Sequence, residues 1–435
     1  MAIRNCSEED FRSILKQYFT PARAISSPEF LRGRQVLLNK IDRAFNSEGK
    51  HVMIFGDRGV GKTSLARTAA FLQHTGQGDP PTVLCEATTT ALGLLRDIAI
   101  KSLPPKQILE SKTVREHKKI GGSALGYEAQ SEIKSGQVPI LNSVNEAISV
   151  LQYISGLSEK TPVILIDELD LIQDDEARRT FAGFLHNVSD QEIRAKFIIC
   201  GIGESLESLL AHHPSVGRHL APIQLERLPH DARWEIIQIP AEKLGIEIDR
   251  ETLVRIGQIS DGFPYYVHLI GEALFWAMFD DDKYSFISDA NHFDWGLRTA
   301  MEEAEPVLKA NYEKATQKYK DDYKEVLWAF VDNPHLRRQL TDIYDTSYKR
   351  IMGERSGREV LSKLAFTNRL NSLKTERHGS FLRGTGAGWY EFRENRMRGY
   401  VRLVAQREGI SLEPEHFLGG RTPMTPSRRY GEDVE

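Results

Sequence analysis

Val52-Met53-Ile54-Phe55-Gly56-Asp57-Arg58-Gly59-Val60-Gly61-Lys62-Thr63-Ser64 runs from an apolar strand into a glycine-rich octet and on into a helical pattern. Residues 56–63 fit G-x-x-x-x-G-K-[ST] at every fixed position, and strand, loop and helix stand in the order that this motif requires. The chemistry is specific. Glycines let backbone N–H groups curl round phosphate oxygens, and the N-terminus of the following helix adds partial positive charge. The pattern predicts that Gly56, Asp57, Arg58, Gly59, Val60, Gly61, Lys62, Thr63 and Ser64 cradle a nucleotide. Lys62 is expected to reach the β- and γ-phosphates, and Thr63 to ligate Mg2+.

About a hundred residues downstream, Val163-Ile164-Leu165-Ile166 ends in Asp167-Glu168. Four consecutive apolar residues fit a strand buried on both faces. The carboxylates then fall at its C-terminal end, where open α/β sheets place their ligands. Asp167 is expected to hold Mg2+ and Glu168 to polarise the attacking water as general base. Asp170, Asp174 and Asp175 read as surface charges. Asn39-Lys40-Ile41-Asp42 spells a guanine-type signature but precedes the phosphate loop, so ATP rather than GTP is the expected nucleotide.

Strands over residues 52–55, 82–85, 162–166 and 196–200 alternate with helices over residues 35–47, 62–73, 88–102, 142–156 and 175–188. Such alternation predicts a parallel sheet with helices on both faces. Residues 1–30 read as an N-terminal arm with a helix over Glu8–Tyr18, and residues 104–139 as an irregular insertion with a short hairpin. After Pro222 the strand signal fades, and helices are expected over residues 230–243, 250–259 and 264–279. A long charged helical region covers residues 293–333, with a break at Pro306. Two helices over residues 337–352 and 358–374 precede a glycine-turned hairpin over residues 380–392. The tail, residues 411–435, is expected to be disordered.

Composition narrows the function classes. The chain has 435 residues, 40% hydrophobic and 27% charged, with a net charge of -4. Its apolar runs are far shorter than the roughly 18 residues of a membrane span. The first ten residues lack a signal-peptide core. Three cysteines (Cys6, Cys85 and Cys200) are too few for a disulfide framework, so a reduced, cytoplasmic protein is expected. The near-neutral total hides an asymmetry: residues 1–336 carry -10, residues 337–429 carry +9 and residues 430–435 carry -3. A basic block behind an acidic body raises duplex DNA as a partner of residues 337–429. His212, His213, His219 and His230 cluster in sequence, but no spacing with cysteine or carboxylate completes a metal site.

Several landmarks over residues 25–280 together resemble AAA+ ATPases, in the branch shared by STAND-type signalling ATPases and archaeal and origin-recognition ATPases. Leu31-Arg32-Gly33-Arg34 looks like the element ahead of the phosphate loop, which implies that Gly33 and Arg34 help enclose the adenine. Ile166-Asp167-Glu168-Leu169-Asp170 looks like the acidic motif, and residues 196–206 like the strand that leads to the sensor loop. Val216-Gly217-Arg218 resembles the box that carries an arginine finger, and Gly262-Phe263-Pro264 the lid element that brings Pro264 to the nucleotide. A finger acts in trans, so Arg218 implies a nucleotide-bridged homo-oligomer; a surface arginine is the competing reading.

The resemblance implies a fold in three parts: a P-loop parallel sheet flanked by helices (residues 31–225), an α-helical lid with a linker helix (226–333), and a winged helix (334–410). It also implies a winged helix that meets DNA through Arg358, Lys363, Asn368, Arg369 and Lys374, with Arg377 and Arg383 on phosphates. The alternative is a winged helix that recognises a protein effector. Two departures stand out. Glu204 falls near a sensor position that the family fills with Asn, Thr or Ser, and the lid lacks the second-sensor arginine. Both favour a slow switch over a motor.

Overall fold

The computed structural model describes residues 6–73, 79–103, 143–156, 161–283, 286–317, 320–355, 357–386 and 388–412. The expected insertion hairpin (within 104–139) and almost all of the expected disordered tail lie outside them. The chain divides into two compact units, Met1–Glu303 and Ala304–Glu435. The division falls thirty residues earlier than the sequence suggested, because the helices after Pro306 pack with the C-terminal elements rather than with the lid.

In the first unit, β1 (His51–Phe55), β2 (Thr82–Leu84), β3 (Val163–Asp167), β4 (Lys196–Gly201) and β5 (Leu220–Gln224) form one sheet of order β2-β3-β4-β1-β5. Every neighbouring pair is parallel, as the strand–helix alternation predicts. The central strands are buried on both faces, which is why they read as unbroken apolar runs. Helices α1 (Glu8–Tyr18), α2 (Gln35–Phe45), α3 (Lys62–Gln73), α4 (Ala91–Ser102), α5 (Val144–Gly156) and α6 (Asp175–Asp190) occur in this half of the chain. Leu94, Ile98, Leu151, Phe181, Phe184 and Leu185 from the last three share one core with Ile164, Ile166 and Phe197 of the sheet.

β5 is the strand that the sequence concealed. Pro222 interrupts its pattern, and a proline donates no ladder hydrogen bond. The strand tolerates it because β5 lies at the sheet edge and pairs only with β1, Pro222 opposite Met53.

After α7 (Gly203–His212) and β5 come α8 (His230–Leu244), α9 (Arg250–Ser260), α10 (Pro264–Asp280) and α11 (Ala290–Glu303). The first three of these four occupy the ranges in which helices were expected. Within the N-terminal arm, the expected helix over Glu8–Tyr18 forms as α1. Phe11 of α1 is fully buried, stacked on Phe279 at 4.3 Å and edge-on to Trp276 at 4.9 Å. Phe19 packs edge-on to Phe275 at 5.1 Å. Each such burial stabilises the unit by about 2–3 kcal/mol.

The second unit contains α12 (Pro306–Thr316), α13 (Lys320–Val331), a helix through residues 340–353 with a π-helical middle (Ile343–Tyr348), α14 (Lys363–Ser372) and α15 (Met397–Arg407). The break at Pro306 occurs where expected, with the proline in the first turn of its helix. β7 (Leu382–Gly386) and β8 (Trp389–Phe392) make the expected hairpin. A third strand, β6 (Arg337–Gln339), pairs antiparallel with β8, where a helix was expected to begin. Its centre is fixed by Arg338, whose guanidinium is buried and donates to the carbonyls of Ala329 and Phe330 at the end of α13. No helix among the described residues is long and apolar enough to cross a membrane.

Candidate nucleotide site

The phosphate loop and the acidic pair lie along the same edge of the sheet, at the C-terminal ends of β1 and β3, with β4 between them. That placement follows from parallel pairing: all strands end on one side, so their loops converge there. The loop is shaped by its glycines. A Cβ on Gly56 would stand 2.2 Å from the Leu225 carbonyl oxygen, so no side chain fits. Gly61 has φ +97°, a left-handed backbone that leaves the loop open to an anion.

Lys62 begins α3 and its Nζ donates to the carbonyls of Gly56 (2.9 Å) and Asp57 (2.8 Å), which holds the ammonium over the loop. Burial lowers its pKa, and the carboxylates of Asp170, Asp57 and Asp167 oppose that shift. Thr63 is half-buried beside it. Ser64 faces elsewhere in the arrangement: its Oγ accepts from the Ile25 backbone N–H at 3.1 Å and ties the N-terminal segment to α3. Val60 is buried, and its carbonyl accepts from Arg34 at 3.3 Å.

Arg34 is itself buried and also donates to the Glu226 carbonyl at 2.6 Å; burial pulls its pKa down to about 10. It braces the loop from behind. Gly33 sits against α8, where a Cβ would come within 2.4 Å of the Ala232 Cβ. The Gly-Arg element therefore joins loop and lid helices. The lid approaches from the other side as well: a Cβ on Gly61 would lie 3.7 Å from Cγ of Pro264, the first residue of α10. Gly262 is clasped by Arg227, which pairs with buried Asp261 at 2.7 Å. Arg233 is buried too, donating to the carbonyls of Leu228 and Gly257. These lid arginines are engaged in holding the lid.

On the acidic side, Asp167 is buried and its Oδ1 accepts from the Glu168 N–H at 3.0 Å. Glu168 is exposed and has φ 59° and ψ 38°, a left-handed conformation rare for glutamate. Holding it there costs about 1–2 kcal/mol, a strain found most often at functional positions. Burial, then the charges of Asp167 and Asp170, raise its pKa. A carboxylate that is harder to keep ionised is a better proton acceptor.

Asp170 is not the surface charge that the sequence suggested. Its carboxylate pairs with Arg58 of the phosphate loop at 2.9 Å and is largely buried. Its place two residues after Glu168, on the short turn Leu169–Leu171, was the available signal. Asp174 caps α6 through the Glu176 N–H. Cys85 and Cys200 line the acid from either side. The Cys85 N–H donates to the Asp167 carbonyl, and burial pushes both thiols up, Cys85 to about 12. They serve as packing, consistent with a chain free of disulfides among the described residues.

Arg218 stands apart from all of this. It ends a short turn (Pro214–Arg218) that leads into β5, so it lies at the N-terminal edge of the sheet, exposed. At about 3.3 Å per strand residue it is roughly 20 Å from the loop of its own chain. Glu204 lies in α7, directly after β4.

Residues 30–199 match the family model for the AAA ATPase domain. This part of the chain is therefore similar to an AAA ATPase domain. The first unit has the α/β P-loop fold that the sequence predicts, with five parallel strands and flanking helices. No curated protein matches the chain. Among solved structures, the Walker-type ATPase of Pyrococcus abyssi is 14% identical with a TM-score of 0.52, over 88% of this chain and 99% of that one. The ORC1 protein of Aeropyrum pernix, solved in complex with DNA, is 13% identical with a TM-score of 0.40, over 88% of this chain and 95% of that one. Cdc6p of Pyrobaculum aerophilum is 14% identical with a TM-score of 0.42, over 91% of this chain and 99% of that one. The first likeness is one of fold and extends over most of the chain.

Proposed function

We propose that this chain is an ATP-dependent molecular switch that hydrolyses ATP slowly and couples nucleotide state to assembly and to DNA binding. One observation carries the reading. A complete phosphate loop, an acidic pair in a strained turn and the first residue of the lid helix α10 surround the same edge of the sheet. The donor set suits Mg2+, since the Thr63 hydroxyl and the Asp167 carboxylate are hard oxygen ligands. Thr63 and Asp167 would hold the ion, which would supply charge neutralisation at the phosphate oxygens. Lys62 exchanges its loop carbonyls for the β- and γ-phosphates. Glu168 accepts a proton from the attacking water. Pro264 brings the lid to the nucleotide, and Gly33 and Arg34 hold the loop in register with the lid.

Slow turnover is supported by the lid arginines already engaged with lid backbone and Asp261, and by Glu204 near the sensor position. Arg218 is too far from its own loop to act there, which favours action on a neighbouring subunit and hence a homo-oligomer. The order of α13, β6, the helix through residues 340–353, α14, β7 and β8 suits a winged helix. In that arrangement α14 enters a major groove. A second reading, a STAND-like switch whose winged helix recognises a protein effector, is favoured by a specific observation. Arg358 and Arg369, named for DNA, pair with Asp322 and Glu325 (Arg358 with both, Arg369 with Asp322), while Leu364 on α14 is 73% exposed.

The test is the ATPase rate of the full chain with and without duplex DNA, and of Glu168→Gln. Stimulation by DNA that disappears in the variant supports the first reading. Stimulation by a protein partner and indifference to DNA favour the second. Failure of the full chain to bind ATP sinks both.

A further inference from the structure

The histidines that the sequence left without a partner gain one in the fold. His186 and Asp190 lie one turn apart on α6, and His219 follows the Pro214–Arg218 turn. His186 Nε2 is 3.3 Å from Asp190 Oδ2, and His219 Nε2 is 3.4 Å from Asp190 Oδ1. One ligand atom from each of the three residues lies within 4.8 Å of the others. His213, which precedes the same turn, stacks its ring 4.4 Å from that of His186. His219 Nε2, the atom that faces Asp190, is buried and makes no well-formed hydrogen bond, which costs about 1–3 kcal/mol unless another partner meets it.

The position excludes the nucleotide's own cation. His219 immediately precedes β5, and its carbonyl accepts from the N–H of His51, the first residue of β1. The cluster is thus at the N-terminal edge of the sheet, opposite the phosphate loop. We propose that His186, Asp190 and His219 bind a zinc ion, with His213 adjacent to the fourth position, and that the ion fastens the turn carrying Arg218 to α6. The chemistry selects zinc: two imidazoles and a carboxylate make a borderline nitrogen–oxygen set, unlike the all-oxygen sets of Mg2+ or Ca2+. Tetrahedral zinc with bonds of about 2.0 Å spaces its ligand atoms about 3.3 Å apart; each imidazole already stands at that range from one oxygen of the Asp190 carboxylate, and a small rotation of the carboxylate would bring one oxygen to both. Helical i, i+4 spacing places His186 and Asp190 on one face, so the helix fixes two ligands and the turn brings the third.

The experiment titrates the chelator-stripped full chain, free of nucleotide, with Zn2+ and Co2+. One equivalent of Zn2+ is expected to bind with a Kd below about 1 µM, and Co2+ to give the intense visible bands of a four-coordinate site. His186→Gln combined with His219→Gln should weaken binding at least about 100-fold, and Asp190→Asn at least about 10-fold. Asp167→Asn, at the opposite edge, should leave the titration unchanged. Asp190 is half-exposed, so its substitution keeps the fold and decides the matter if the double variant unfolds. Six-coordinate Co2+ bands, or Asp190→Asn binding like the parent, overturns the proposal. ATP binding is read separately, so the zinc site and the nucleotide reading can fail independently.

Discussion

The two units use charge in opposite ways. Around the phosphate loop, Lys62 rests on backbone carbonyls, and Glu168 is held exposed in a strained turn next to two further carboxylates. In the second unit, cations are spent on the fold. Arg358 bonds buried Glu325 at 2.8 Å, Arg350 bonds buried Asp332 at 2.6 Å, and Arg398 donates to the carbonyls of Asn333 and His335. Lys349 and Lys363 share Asp345. The first arrangement is ready to meet an external charge; the second has already met internal ones. Net charge therefore measures composition, whereas availability depends on which carboxylates the fold brings near.

The sharpest way to probe the contrast is Glu168→Gln. Hydrolysis should fall about 10²- to 10⁴-fold with ATP affinity unchanged, as measured by phosphate release and calorimetry. Because its pKa is raised, the parent should lose activity as pH falls towards that value, the carboxylate becoming protonated, and Gln should abolish this acidic limb. An unchanged limb would assign the base elsewhere. Next, Lys62→Ala should weaken ATP binding about 100-fold while the thermal unfolding midpoint stays near that of the parent. In the second unit, Glu325→Ala should destabilise by about 1–3 kcal/mol, because it removes the buried carboxylate that bonds Arg358. Differential scanning calorimetry reads this as an earlier transition for that unit alone. Lys349→Ala, in an exposed pair, should leave that transition indistinguishable from the parent's. If Glu325→Ala were as mild as Lys349→Ala, the division into available and spent charge would collapse.

Much of this was legible before the fold. Four of the five sheet strands are apolar enough to declare themselves, and the phosphate loop is local in sequence, so its geometry is written in consecutive residues. What stayed hidden is long-range or masked by side-chain type. Pro222 disguised β5, since edge position is a property of the sheet. Arg338 disguised β6, because a buried arginine looks like a surface one until its carbonyl acceptors are in place. The pairing of Asp170 with Arg58 spans 112 residues, and Asp190 meets His219 across β4 and α7. Charge counting misled for the same reason: the carboxylates that engage Arg358 and Arg369 lie on α13, upstream of the basic block itself.

The position of β5 has a practical consequence for anyone dividing the chain. The stretch recognised as an AAA domain stops at residue 199, inside β4, whereas β1 is flanked on its far side by β5. A protein trimmed to that stretch would leave the phosphate-loop strand itself as a bare, apolar sheet margin, open to pairing with another copy. It would also lose the Ile25 amide that meets Ser64, the Leu225 carbonyl that crowds Gly56 and the Glu226 carbonyl that anchors Arg34. The compact unit that keeps these partners around the phosphate loop runs to the end of α11.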